Sequence, residues 1–434
     1  MKRGFYTIMA AQFFSSLADQ ALFVAAVELL RTTGHPEWQR AALVPIFAIF
    51  YVILAPLVGA FADALPKGQV MFISNAIKVV GCLMMLFGGH PLWAYAVVGL
   101  GAAAYSPAKY GILTELLPSS QLVKANGWIE GLTIGSIILG IVLGGSLVGH
   151  AISSRLLTFD FPFIDTGVDT PPEGAICVLI FVYALAAWFN LRIPLTGVEM
   201  RPLRLDPHRG IAANMVALLP DFWHCNVRLW RDKLGQISLA TTTLFWGAGG
   251  NLKYIVLAWA ALALDYDTAR ASQLVGVVAI GTAIGAVAAS ARMRLEMATG
   301  VIPMGIGMGV LIILMNFITN VWLAVPFLIL LGALGGFLVV PMNALLQHRG
   351  HNLMGAGRSI AVQNFNEQAC ILALGALYAA CTGFGLSAYV AIAIFGSIVA
   401  GFMWLIKRWH ARNLRDYPEE VEHLLAIARS DKHH

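Results

Sequence analysis

SPAKYGIL, residues 106–113, and VPMNALLQ, residues 340–347, come into register when the second half of the chain is slid back by 234 positions. Pro107 then lies on Pro341, Lys124 on Arg358 and Asp19 on Lys253. Each match alone is weak. The same shift also lays long apolar runs over one another, the fourth on the tenth and the first on the seventh. Internal symmetry of this kind marks a chain built from two related halves.

Those runs set the class of the protein. The chain has 434 residues, 59% of them hydrophobic and 12% charged. A water-soluble domain carries about 25% charged residues. Stretches of about 20 apolar residues recur along the whole length, enough to cross roughly 30 Å of hydrocarbon. In lipid each must satisfy its own backbone hydrogen bonds, and none alternates as a barrel strand would, so each is expected to be a helix. Twelve spans are expected, near 5–30, 41–62, 69–88, 91–114, 121–149, 174–194, 236–262, 270–290, 300–318, 321–346, 357–382 and 386–407. The first is too long for a secretory signal and lacks its cleavage site. The fold class is therefore an all-α membrane protein of twelve transmembrane helices in two six-helix pseudo-repeats. The expected division is 1–195 and 234–408 for the two bundles, 196–233 for the connecting stretch and 409–434 for a short frayed tail.

Lys and Arg orient the spans. With the N-terminus inside, the outer loops hold only Arg31, Arg40, Arg155 and Arg270. The inner side holds Lys2, Arg3, Lys67, Lys124, Arg292, Arg294, Arg349, Arg358 and the cluster from Lys407 to Arg415. Both termini are thus expected in the cytoplasm. The net charge of +5 suits an anionic inner leaflet and needs no nucleic acid. The connecting stretch interleaves Arg201, Arg204, Arg209, Arg228 and Arg231 with Phe222, Trp223, Leu229 and Trp230. It reads either as an amphipathic helix in the headgroup layer or as a flexible linker. The loop from Ser153 to Glu173 carries Asp160, Asp165, Asp169 and Glu173, which suits the outer face. The five cysteines show no metal-binding or redox spacing, and no metal or cofactor is expected.

Two half-repeats of six spans resemble the major facilitator transporters, and a loop motif agrees. GAFADALPKGQ, residues 59–69, resembles the superfamily's cytoplasmic signature through Gly59, Asp63 and Lys67, with Ala64 and Pro66 departing from it. A narrower resemblance rests on AAAYSPAKYGIL (102–113), LVKANG (122–127), LFWGAG (244–249), VVPMNALLQHRG (339–350) and GAGRSIAVQNFNE (355–367). These are similar to the bacterial lysophospholipid transporters, over about residues 7–408. The resemblance implies a flippase that carries lysophosphatidylethanolamine and related lysolipids from the outer to the inner leaflet of the bacterial inner membrane for reacylation. It implies alternating access around a central charged headgroup site, no dependence on an ion gradient, and a functional link to an acyltransferase/acyl-carrier-protein synthetase. Because the chain stops after its tail, that enzyme is expected to be a separate protein. A monomer among membrane lipids is expected.

A lysolipid keeps its acyl chain in grease, but its headgroup needs polar partners, since an unpaired charge in hydrocarbon is prohibitive. The candidates are the ionisable residues inside the spans. Asp19 lies in FFSSLADQALFVAA (13–26), with Ser15 one turn earlier on the same face. Lys253 lies in LFWGAGGNLKYIVLAWA (244–260). As repeat mates, the two are expected to neutralise each other until an ammonium takes Asp19 and a phosphate takes Lys253. Glu367 shares a helix face with Gln363, and Asn364 lies beside them. Lys109, just after Pro107, is expected near the inner end of the same polar path. A structural ion pair, a snorkelling lysine and an interhelical polar glue are the plainer alternatives for Asp19, Lys253 and Glu367 respectively. Asp63, Lys67, Glu115, Lys124, Glu130, Arg349 and Arg358 are expected to act in gating, though Glu115 reads equally well as a solvated loop charge. Lys78, about two turns from a loop, reads as a cation snorkelling to the inner surface.

The runner-up activity is a proton-coupled drug or small-solute antiporter, with Asp19 or Glu367 as proton carrier. An enzyme is not expected: the 11 histidines are dispersed, no H-x-x-x-x-D, G-x-S-x-G or H-E-x-x-H occurs, and no catalytic residue is assigned.

Overall fold

The computed structural model describes residues 3–35, 37–158, 167–203, 206–266 and 268–430. Asp160 and Asp165 of the acidic loop, Arg204, Lys2 and the last four residues lie outside them. Among the described residues all regular structure is helical. The chain begins with α1 (Arg3–Thr32), α2 (Glu37–Ile53), α3 (Ala55–Ala64), α4 (Lys67–Leu86), α5 (Pro91–Leu116), α6 (Ser119–Val148), α7 (His150–Leu157) and α8 (Pro171–Leu191). After these come α9 (Ile211–Ala217), α10 (Leu219–Arg231), α11 (Gly235–Ala263), α12 (Thr268–Arg292), α13 (Ile302–Leu314), α14 (Val321–Met354), α15 (Ala356–Gly383), α16 (Ala388–Asp416) and α17 (Pro418–Arg429).

Eight described helical stretches are long and apolar enough to cross a membrane, or nine if α2 and α3 count as one span. The remaining long helices, α5, α11 and α15, are more polar; they carry Lys109, Lys253 and the Gln363–Glu367 stripe. Together they match the twelve expected spans. Large apolar side chains such as Leu139, Val142, Phe181, Ile284, Val287 and Phe402 are exposed, as a lipid solvent permits.

The second span, expected as a helix over 41–62, is broken in two. α2 and α3 meet at 66°, because Pro56 at the start of α3 has no N–H to donate and its ring excludes the carbonyl four residues earlier. α14 is longer than expected, at 34 residues. That is about 50 Å of helix, more than the hydrocarbon requires. Its extra turns carry the buried Gln347, His348 and Arg349.

Contacts divide the chain into two compact units, Met1–Leu116 with Leu132–Leu219, and Leu117–Gly131 with Pro220–His434. In the first, α4 packs on α5 and α8, and α8 on α1. Its apolar core includes Ala18, Leu22, Leu29, Tyr95, Leu179 and Tyr183. Gly140 and Gly144 let α6 lie against the backbone of Leu17 and Ala21 on α1, the small-x-x-x-small device for close helix approach in lipid.

In the second unit the tightest pair is α12 with α14. Gly281 and Gly285 face the backbone of Ile329 and Ala333, while Gly332 and Gly336 face that of Val278 and Thr282. A side chain on any of these would strike main chain rather than a movable side chain. Gly332→Val should therefore destabilise the protein by at least about 1–3 kcal/mol. Thermal unfolding in detergent would check this; an unchanged midpoint would mean the helices can part without penalty.

The tail corrects an expectation. Residues 418–429 form α17 rather than frayed chain, because Val421, Leu424 and Ala428 make an apolar stripe that is buried. α17 packs on α16 and on the 3-10 turn Leu295–Val301, and the Ser430 carbonyl accepts a hydrogen bond from Ser119.

Candidate functional site

Among the described residues, six Asp, Glu, Lys or Arg residues are more than nine-tenths buried when main chain and side chain are counted together: Asp63, Lys67, Lys78, Glu130, Arg349 and Glu367. Five of them are residues the sequence singles out as site candidates. The sixth, Lys78, is the one the sequence reading sets aside.

Lys78 sits on α4 and reaches α1. Its Nζ donates to Asp19 Oδ2 at 2.8 Å and to Ser15 Oγ at 3.0 Å. Ser15 passes the chain on, donating to Asn75 Oδ1 at 2.8 Å. The other carboxylate oxygen of Asp19 accepts from the Tyr183 hydroxyl of α8 at 2.6 Å. The ammonium also lies 4.9 Å from the ring centre of Tyr105 and 5.6 Å from that of Tyr183, close enough for cation–π attraction. Lys78 is 1% exposed and therefore does not snorkel. Both oxygens of Asp19 are thus taken within the first unit, where the sequence reading expected Lys253 as partner. The reason is local: Asn75 and Lys78, three apart on α4, share a helix face, and the long lysine side chain on it reaches Ser15 and Asp19 of α1. Lys253 lies on α11 with an exposed side chain. Lys109, partly buried, lies 4.1 Å from the Tyr110 ring centre.

The same unit holds a second buried charge cluster. Lys67 Nζ is 3.0 Å from Asp63 Oδ1 and 3.1 Å from Glu115 Oε1. The other oxygen of Glu115 accepts from Thr196 Oγ1 at 2.8 Å, so Glu115 is not a solvated loop charge. Lys67 bridges two carboxylates in a dry place. Lys67→Met would remove the cation they share and should cost about 3–5 kcal/mol. Adding Glu115→Gln should recover part of that, as read by unfolding temperature; no recovery would mean the cluster is not electrostatically coupled.

The second unit gathers the other candidates. Gln363 donates to Glu367 at 2.8 Å and to Asn343 Oδ1 on α14 at 3.0 Å. Glu130 on α6 is buried in the same unit. Asn126 and Gln347 exchange two hydrogen bonds, at 2.9 and 3.0 Å. Asn364 is partly buried and Lys124 is exposed. Arg349 forms a fork with Asp232, at 2.6 and 3.2 Å, and Arg358 meets Asp221 at 2.9 Å. Both partners come from the connecting stretch, which no sequence signal linked to these arginines. The last part of that stretch, Leu219–Arg231, forms α10, whose apolar face turns to protein: Phe222 meets Phe365 edge-on at 5.3 Å, and Leu229 is fully buried.

Sequence reasoning passed over Lys78, Asn75 and Tyr183 in the first unit and Asn343 and Gln347 in the second. A signal for Lys78 exists, since SNAIKVVGC spaces two polar residues at i, i+3 inside an apolar span. Tyr183 carried none, because a tyrosine in an apolar helix reads as core.

No group of three or more His, Cys, Asp or Glu that could hold a metal ion occurs among the described residues. The arrangement can instead pair with opposite charges and hydrogen-bond a polar solute within apolar helices.

The sequence pattern of the Major Facilitator Superfamily matches residues 8–373. The chain is 39% identical over 379 residues to the lysophospholipid transporter LplT of Yersinia enterocolitica, covering 87% of each chain. It is also 39% identical to the protein of the same name from Serratia proteamaculans, over 87% of this chain and 88% of that one. Among solved structures, the human organic anion transporter MFSD10 superposes with a TM-score of 0.69 at 13% identity, covering 94% of this chain and all of that one. The fucose:proton symporter FucP of E. coli superposes with a TM-score of 0.66 at 12% identity, covering 94% of this chain and 98% of that one. At such identities the structural likeness speaks to the fold alone.

Proposed function

Because the chain belongs to the Major Facilitator Superfamily and, within it, to the family of the lysophospholipid transporters, we propose that it carries lysophospholipids across the membrane. In this reading lysophosphatidylethanolamine and related lysolipids move from the outer to the inner leaflet of the bacterial inner membrane, by alternating access. Both termini face the cytoplasm, the protein works as a monomer, and a separate acyltransferase/acyl-carrier-protein synthetase reacylates the product. The protein itself catalyses no covalent step.

The observation that carries the reading is the buried Asp19–Lys78 pair in otherwise apolar helices. A lysophospholipid headgroup brings a phosphate and, in the ethanolamine form, an ammonium. Each needs an opposite charge on the way through hydrocarbon. Lys109 in the first unit, and Lys253, Asn364 and the Gln363–Glu367 stripe in the second, are further groups that this reading assigns to the substrate. Asp63, Lys67 and Glu115, and the pairs made by Arg349 and Arg358, serve as latches made and broken through the cycle, with Lys124 and Glu130 at their margins.

The test is uptake of labelled lysophosphatidylethanolamine into proteoliposomes, with and without a collapsed proton gradient. Uptake that survives uncoupling supports the flippase. Solute exchange strictly tied to protons would replace it with the antiporter, for which the buried Glu367 would be the carrier.

A further inference from the structure

We propose that Lys78, with the carboxamide of Asn75, is the phosphate-recognition site of this protein, and that Asp19 is its built-in stand-in for the phosphate. The proposal rests on the lysolipid reading and names the group that reads the one feature all such substrates share.

The argument starts from donors. Lys78 is buried and donates to Ser15 at 3.0 Å, so the Ser15 hydroxyl has its proton free to give to Asn75 Oδ1, at 2.8 Å. The amide oxygen of Asn75 faces Ser15, and its NH2 points away from that hydroxyl. Asn75 is fully buried, yet its Nδ2 has no hydrogen-bond partner. A buried donor left unmade costs about 1–3 kcal/mol. An unmet N–H one helical turn from a buried ammonium is half of an oxyanion receptor awaiting an acceptor.

Asp19 fills the other half. Its carboxylate neutralises Lys78 at 2.8 Å, but while the lysine side chain is 1% exposed the aspartate is 17% exposed. Asp19 is therefore the member of the pair that a solute can reach and displace. Lys78 stays, held by Ser15 and by the rings of Tyr105 and Tyr183. A phosphodiester carries one negative charge on two oxygens. One oxygen can replace Asp19 on Lys78, and the other can accept from Asn75. Charge on the lysine is balanced before and after, so the exchange never leaves a bare ammonium in the membrane. The displaced carboxylate keeps its bond to Tyr183 and is ready to return, which expels the phosphate. Nothing in the exchange involves the rest of the headgroup.

The experiment compares binding of lysophosphatidylethanolamine with that of a monoacylglycerol of the same chain, which lacks phosphate. It uses purified full-length wild type, Lys78→Arg, Asp19→Asn and the double variant Asp19→Asn with Lys78→Met. The double variant strands no charge and should fold. It should bind the phospholipid about tenfold or more weakly, the worth of a charged hydrogen bond, and the monoacylglycerol unchanged. Lys78→Arg should keep the preference for phosphate. Asp19→Asn should bind the phospholipid more tightly than wild type, because no carboxylate competes. Wild-type affinity in the folded double variant would overturn the proposal and leave Lys78 a structural counter-ion. If the wild type moves no lysolipid, the transport reading falls separately. Binding of water-soluble glycerophosphoethanolamine to wild type but not to the double variant would then still establish the phosphate site, and equal binding would refute it.

Discussion

Asp19→Ala is expected to lose lysolipid uptake by about a hundredfold or more and to fold poorly. Both effects have one cause. Alanine removes the counter-ion of a lysine buried within apolar helices, and stranding one member of such a pair costs about 3–5 kcal/mol, two or more decades in an equilibrium constant. From the sequence alone, with Lys253 as the expected partner, the substitution would spare expression. The Lys78 contact at 2.8 Å reverses that expectation. The two effects separate in a second variant. Asp19→Ala with Lys78→Met removes both charges and should recover a monodisperse peak in detergent, yet still fail to take up lysophosphatidylethanolamine per folded molecule. Asp19→Asn keeps an acceptor for Tyr183 and for Lys78 but no counter-charge, so it should fold better than Asp19→Ala and less well than wild type; it should turn over slowly, because a neutral amide returns weakly to the ammonium. An Asp19→Ala protein that folds well and transports at the wild-type rate would remove both Asp19 and its pair from the mechanism.

The contrast shows which parts of this molecule could be read from residues in order. Membrane class and span count were legible because lipid imposes a length and an apolarity on every crossing helix, and the runs near 69–88 and 121–149 meet both. The break between α2 and α3 was written in Pro56, but a hydropathy run averages over it. Asp63, Lys67 and Glu115 could be named because a loop motif and a nearby carboxylate stand out in an apolar chain. Their meeting on one lysine depends on how α3, α4 and α5 pack. Charged residues inside spans were visible as costs to be met; who meets them was not. Repeat symmetry drew Asp19 toward Lys253, whereas the cation that pairs with it, Lys78, came from the same half. Symmetry relates equivalent places, and a short-range ion pair is settled by which helix faces touch. The tail was misread for a related reason, since the stripe of Val421, Leu424 and Ala428 is short and dilute until α16 and the 3-10 turn at Leu295 provide something to cover.

Arg349→Met is the second substitution expected to have a large effect, and its cause lies in the connecting stretch. Asp232 does two things at once. Its Oδ1 accepts from the backbone N–H groups of Leu234 and Gly235, at 3.2 and 2.7 Å, satisfying donors at the start of α11. Its two oxygens also receive the Arg349 fork, and both side chains are more than nine-tenths buried. Methionine fills much of the arginine stem but leaves Asp232 charged and dry, so the loss should be about 3–5 kcal/mol. Asp232→Asn alone strands the arginine instead but keeps an oxygen for the two N–H groups. The double variant, Asp232→Asn with Arg349→Met, retains that cap and removes both charges, and should return to within about 1 kcal/mol of wild type. Unfolding of all four proteins in one detergent gives the coupling energy directly, and a value near zero would mean the fork holds nothing. Uptake then asks a different question of the same proteins. If Arg349 and Asp232 only brace α14 against α10, the double variant transports as wild type once folded. If they form a latch that opens and closes in each cycle, the double variant folds normally but its rate changes while its affinity for lysolipid does not.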